Sequence, residues 1–75
     1  MTEMIPVKSS AMQAVGLSEE HGLIVRFVRP DKLCAYMGVS EQLFDAMLQH
    51  IAAGGSAGVF LNEQVKKAGY MFYYL

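Results

Sequence analysis

Tyr70-Met71-Phe72-Tyr73-Tyr74-Leu75 is a run of six residues with no charge and four aromatic side chains. A half-buried strand alternates apolar with polar residues, so a run apolar on both sides needs cover on both. In a chain of 75 residues that is a heavy demand. One side can rest on the helices the chain provides, and the other calls for a second subunit, a ligand or a membrane. No stretch spells out a reaction, so the elements around this run have to be built up first.

Leu23-Ile24-Val25-Arg26-Phe27-Val28-Arg29 is the clearest strand, rich in β-branched and apolar residues, with Leu23, Val25 and Phe27 as its core face. Upstream, Val7 to Leu17 alternates weakly and reads as an earlier strand. Ser18-Glu19-Glu20-His21-Gly22 joins the two as a type I turn closed by a left-handed glycine. Downstream, Pro30-Asp31 turns the chain, and proline cannot adopt the positive φ of a two-residue hairpin, so this loop has three residues or more. Its parity decides which residues face the core. A three-residue loop sets Leu33, Ala35 and Met37 beside the core face and Cys34 and Tyr36 beside Arg26. A four-residue loop buries Cys34 and Tyr36 with Phe27. The first collects the aliphatic side chains and is the expected arrangement.

Ser40 is placed to cap a helix on which Leu43, Phe44, Met47, Leu48 and Ile51 share one face. Gly54-Gly55 ends it, Ser56 can cap a shorter helix carrying Val59, Phe60, Leu61 and Val65, and Gly69 precedes the final strand. The order is β-β-β-α-α-β. It predicts a single small α+β domain over residues 1–75, with a mostly antiparallel four-stranded sheet, two helices on one face, and residues 1–6 as a flexible N-terminus.

Composition narrows the function classes. Six Lys/Arg against seven Asp/Glu give no overall field toward nucleic acid or anionic membrane, so any polyanion site is local. One cysteine excludes a disulfide within the chain, and Cys34, His21 and His50 lack chelating spacing, so neither metal nor cofactor is expected. No secretory signal or membrane-length apolar run is present, which predicts a cytoplasmic protein with no membrane partner. A domain this small gains little net stability from its core, and with 53% hydrophobic residues self-association is the expected remedy.

The motifs Ser9-Ser10, Val15-Gly16, Leu23-Ile24-Val25-Arg26-Phe27, Tyr36-Met37-Gly38-Val39, Ser56-Ala57-Gly58-Val59-Phe60-Leu61-Asn62 and Tyr70-Met71-Phe72 follow one another in an order that resembles the KTSC domain. That short domain occurs alone in bacterial and phage proteins and at the C-terminus of some lysyl-tRNA synthetases. The resemblance runs from Lys8 onward. Two positions depart from it: the family's central Tyr-x-Tyr is Cys34-Ala35-Tyr36 here, and the aromatic residue often found after Val-Gly is Leu17. The resemblance implies a fold and, through the company of a synthetase, a link with RNA.

Gly54-Gly55-Ser56-Ala57-Gly58 before a helix offers open backbone N–H groups to a phosphate, or serves only as a tight connection. It lacks the glycine spacing and lysine of a P-loop. Asn62 inside an apolar stretch either braces backbone or meets a ligand. Arg26, Tyr36, Lys66 and Lys67 can form a small basic surface with an aromatic for base stacking, or a solvated face. No nucleophile, base and orienting residue can be assembled, so the expected protein is not an enzyme.

The expected function is therefore a non-enzymatic, homo-oligomeric binding module for a nucleotide or short single-stranded RNA, with Arg26, Tyr36, Ser56, Gly58, Asn62, Lys66 and Lys67 as ligand residues. A phage protein sequestering a nucleotide of host defence signalling is one form of this. The alternative is a module that docks a partner protein through its apolar sheet face or last strand. Tyr70, Phe72, Tyr73 and Tyr74 are the expected interface.

Overall fold

In the computed structural model, which describes residues 3–7, 9, 11–28 and 32–75, five strands form one antiparallel sheet. They are β1 (Ile5–Pro6), β2 (Met12–Ser18), β3 (Gly22–Phe27), β4 (Leu33–Tyr36) and β5 (Phe72–Tyr74), in that spatial order. Helix α1 (Glu41–Ala52), the five-residue α2 (Ala57–Leu61) and a π-helical turn (Asn62–Lys66) lie between β4 and β5. The α+β class and the helix placement follow the expectation. The sheet has five strands rather than four because Ile5 and Pro6, expected in a flexible N-terminus, pair with Val15 and Ala14.

The β2–β3 turn forms as the sequence predicts. Ser18 Oγ accepts from the Glu20 and His21 N–H groups, and Gly22 closes the turn at φ +80°. A side chain there is strained in φ and would also drive its Cβ into the Tyr36 carbonyl oxygen. In β2 the register shifts between Met12 and Ala14. That bulge lets Met12 and Val15, three positions apart, pair with Phe27 and Val25 and face the same side.

The β3–β4 register corrects the expected parity. Leu23 pairs with Tyr36, Val25 with Cys34 and Arg26 with Leu33, and the Phe27 N–H donates to the Lys32 carbonyl across a four-residue loop. Residues 29–31 of that loop lie outside the described residues. Cys34 and Tyr36 therefore join Met12, Val15, Leu23 and Val25 on the helix side, in one cluster with Phe44, Met47, Ala57, Leu61 and Val65. Leu33, Ala35 and Met37 face the other way. The fourth loop residue flips every β4 side chain to the other face, which puts the Tyr36 ring and the Cys34 thiol under the helices.

Helix α1 is capped by Ser40, whose Oγ accepts from the Leu43 N–H at 3.1 Å, and it buries Phe44 and Met47. At its end the Ala53 N–H reaches the Gln49 carbonyl, and Gly54 turns the chain at φ +92°. Ser56 then caps α2 through the Val59 N–H.

Among the described residues no helix covers the second side of the sheet, yet Ile24 and Ala35 are 5% and 0% exposed. Tyr73 supplies part of the cover. It sits opposite Ala35, which sits opposite Ile24, and its hydroxyl hydrogen-bonds His21 Nδ1 in the β2–β3 turn. Tyr73 and His21 together therefore bridge β5 to that turn over the outer side of β4. The two rings also meet edge-on, 5.9 Å between centroids.

Candidate functional site

At the β5 end, the helix side of the sheet is only partly roofed. The strands bring Cys34 and Tyr36 to the floor, Phe27 to one wall, and Phe72 and Tyr74 to the other, while Lys66 and Tyr70 approach from above. The cleft measures about 280 Å³. Tyr36 and Phe72, directly paired across β4 and β5, have ring centroids 5.7 Å apart. Phe72 and Tyr74, two apart on one strand, meet edge-on at 6.2 Å. Such contacts add about 0.5–1.5 kcal/mol each beyond burial, which holds the wall in place although both rings are more than half exposed.

Two ammonium groups sit on this aromatic surface. Lys66 Nζ lies 5.8 Å from the Phe27 ring centroid and Lys32 Nζ 5.6 Å from that of Tyr74. Lys66 belongs to the π-helical turn, where the Lys67 N–H reaches back five residues to the Asn62 carbonyl. The wider turn keeps Val65 fully buried below while Lys66 stands exposed at the cleft. A single-turn π-bulge inside a helix is uncommon and frequently marks a functional position.

The floor is weakly acidic chemistry held neutral. Burial pushes the Cys34 thiol up, opposed by its hydrogen bond with Tyr36 and by the nearby Lys66 charge. Burial also raises Tyr36, reinforced by Cys34 and Tyr74. Near neutral pH both stay protonated, so the floor offers an O–H and an S–H that donate or accept without adding charge. A thiol held up in this way is a poor nucleophile.

The structure divides the predicted ligand residues. Tyr36 and Lys66 meet in the cleft, and three of the expected interface residues, Tyr70, Phe72 and Tyr74, line it with them. Arg26 does not join them: it pairs with Leu33 on the opposite side of the sheet, a consequence of the corrected parity. Ser56 is engaged in capping, and Gly58 follows it in a helix of five residues. Asn62 is exposed at the start of the π turn, where its backbone carbonyl takes the wide bond. Lys67 is exposed and does not line the cleft. Tyr73 faces the other side, toward His21. Lys32, Phe27 and Cys34 were not among the expected ligand residues. The four-residue loop is the signal that would have found them, because it puts Phe27, Lys32 and Cys34 on one side.

Among the described residues no helix is long and apolar enough to cross a membrane. Neither a family model nor a curated protein matches the sequence. A solved structure does: the KTSC domain protein YPO2434 from Yersinia pestis superposes with a TM-score of 0.76 at 22% sequence identity, over 100% of this chain and 99% of that one. Motif order and full-length superposition meet in one conclusion: this chain has the fold of the KTSC domain from end to end.

Proposed function

We propose that the protein is a non-enzymatic binding module of the cytoplasm that takes a nucleotide, or one base of a short single-stranded RNA, into the aromatic cleft. One observation carries the reading: rings from three strands and the segment after the π turn surround a cleft bordered by Lys66 and Lys32. Rings accept a base by stacking, worth about 1–3 kcal/mol per base, and ammonium groups at the rim accept the phosphate. The volume, about 280 Å³, lies just below the usual range for small-molecule pockets and suits one base rather than several. This version of the site replaces the glycine-rich loop and Arg26 with Lys66, Lys32 and the rings of Tyr36, Tyr70, Phe72 and Tyr74. Sequestration of a signalling nucleotide by a phage-encoded copy is the sharpest form of the proposal.

Titration with nucleoside monophosphates and oligouridylate, followed by tyrosine fluorescence, tests it. Saturable quenching is expected, weakened at least about tenfold in Lys66→Ala and Phe72→Ala. Native mass spectrometry should show one nucleotide adduct per chain. No saturable change and no adduct would end this reading. The second reading, docking of a partner protein, is favoured by the exposure of Met71, Phe72, Tyr74 and Leu75 on an edge strand.

A further inference from the structure

The backbone of β5 carries a feature that its side chains do not reveal. The Met37 N–H donates to the Met71 carbonyl and the Leu75 N–H to the Leu33 carbonyl. In an antiparallel ladder, bonded and non-bonded pairs alternate. Met71, Tyr73 and Leu75 therefore bond toward β4. The intervening residues Phe72 and Tyr74, opposite Tyr36 and Cys34, point their N–H and C=O groups away from it. β5 is an edge of the sheet, so four backbone groups in a row face outward along a segment of exposed apolar side chains.

We infer that β5 pairs with β5 of a second copy, antiparallel and centred on Tyr73, so that two sheets join into one of ten strands. This register uses every outward group. Phe72 exchanges two hydrogen bonds with Tyr74 of the second copy, and Tyr74 exchanges two with its Phe72. No other register centred within the strand satisfies all four on both copies. The pairing sets no charged side chains against each other, because Ala68 to Leu75 contains no Asp, Glu, Lys, Arg or His. Aromatic side chains carry about 150–250 Å² each, and residues 71–75 are 36–74% exposed, so two copies can cover at most about 1,000 Å². That is the lower limit of a specific interface, which makes the dimer weak and concentration-dependent.

The inference gives the self-association expected from the sequence a surface, and it also bears on the cleft. On the helix side, Phe72 stands beside Tyr74 of the second copy, so each cleft gains a ring from its neighbour and the two aromatic walls become continuous. On the other side the two Tyr73 residues form the close, non-bonded pair.

Sedimentation equilibrium over a wide concentration range is the test, with Tyr74→Pro compared against Tyr74→Val. Both lose the ring, but only proline removes the outward N–H, and it leaves the bonds to β4 intact. The wild type and Tyr74→Val should dimerise, and Tyr74→Pro should associate at least about tenfold more weakly. A cross-linking pair tests the register and stands even if the proline variant does not fold. Opposed non-bonded residues have Cα atoms about 4.5 Å apart, within disulfide reach, so Tyr73→Cys should form oxidised dimers. Met71→Cys, at a more exposed position, should not, because it opposes Leu75 of the second copy. A monomer at every concentration, equal association of the proline and valine variants, or equal cross-linking at 71 and 73 would each overturn the inference. Loss of nucleotide binding with the dimer intact would overturn only the proposed function.

Discussion

The two edges of this sheet solve the same problem in opposite ways. β1 is two residues long, and its only outward position is Pro6: the Val7 N–H bonds inward to Gln13, and Ile5 pairs with Val15. Proline has no N–H to offer a neighbouring strand, so that edge is blunted where it is most open. β5 presents two outward donors and two outward acceptors, no proline, and side chains that water does not favour. An edge that must stay solitary is protected, and an edge left open invites a partner or a ligand. The contrast teaches that the excess of apolar residues in the last strand is placed rather than accidental.

The largest effect expected from breaking this contrast lies at Tyr36, the residue that belongs to both the core and the cleft. Tyr36→Ala should cost about 3–5 kcal/mol in denaturant unfolding, the range for large aromatic deletions from a core. Phe72→Ala, on the exposed wall beside it, should cost about 1 kcal/mol or less, because most of that ring is already in water. Equal losses at the two positions would mean that β5 is as tightly packed as β4.

A second effect is set by protonation. Cys34 and Tyr36 both titrate higher in the folded chain than unfolded. The folded state then binds protons more tightly, so this share of stability is complete below the unfolded thiol value of about 8.5 and is lost as pH rises beyond it. Unfolding free energy measured from neutral pH to about pH 10 should fall, and Cys34→Ala should flatten the first part of that fall. A profile that is level across this range would contradict the buried, neutral floor.

A smaller effect sharpens the picture of the outer side. Tyr73→Phe keeps the ring beside Ala35 but removes the hydrogen bond to His21. A loss of about 0.5–1.5 kcal/mol is expected in thermal unfolding. The smallest effect in stability, though not in association, belongs to the blunted edge. Pro6→Val should change the unfolding midpoint little while restoring an outward N–H to β1. Light scattering at high concentration should then show species larger than the wild type forms.

Much of this was legible from residues. The Ser18 to Gly22 turn, the Ser40 and Ser56 caps and the apolar face of α1 depend on neighbours within a few positions, where local chemistry is decisive. The site was harder. Tyr36, Lys66 and the last strand could be singled out, but Arg26 was grouped with them because a loop of three residues gives as tidy a set of aliphatic side chains as one of four. The weak alternation of the first strand has a similar origin, since the bulge before Ala14 interrupts a period of two. Lys32 joins the site only through the four-residue loop, whose register places it beside Tyr74.

The sequence by itself determined the kind of elements, their order and the KTSC-like pattern, because periodicity, caps and turn residues act through short-range sterics and hydrogen bonds. Only the tertiary structure decided which side of each strand meets the helices. A strand has two faces that differ by one residue of register, and the choice is made by how well the whole set of side chains fills the space under the helices. That choice turned Cys34 and Tyr36 inward, carried Arg26 away, gathered the aromatic cleft, and left the backbone of Phe72 and Tyr74 facing outward.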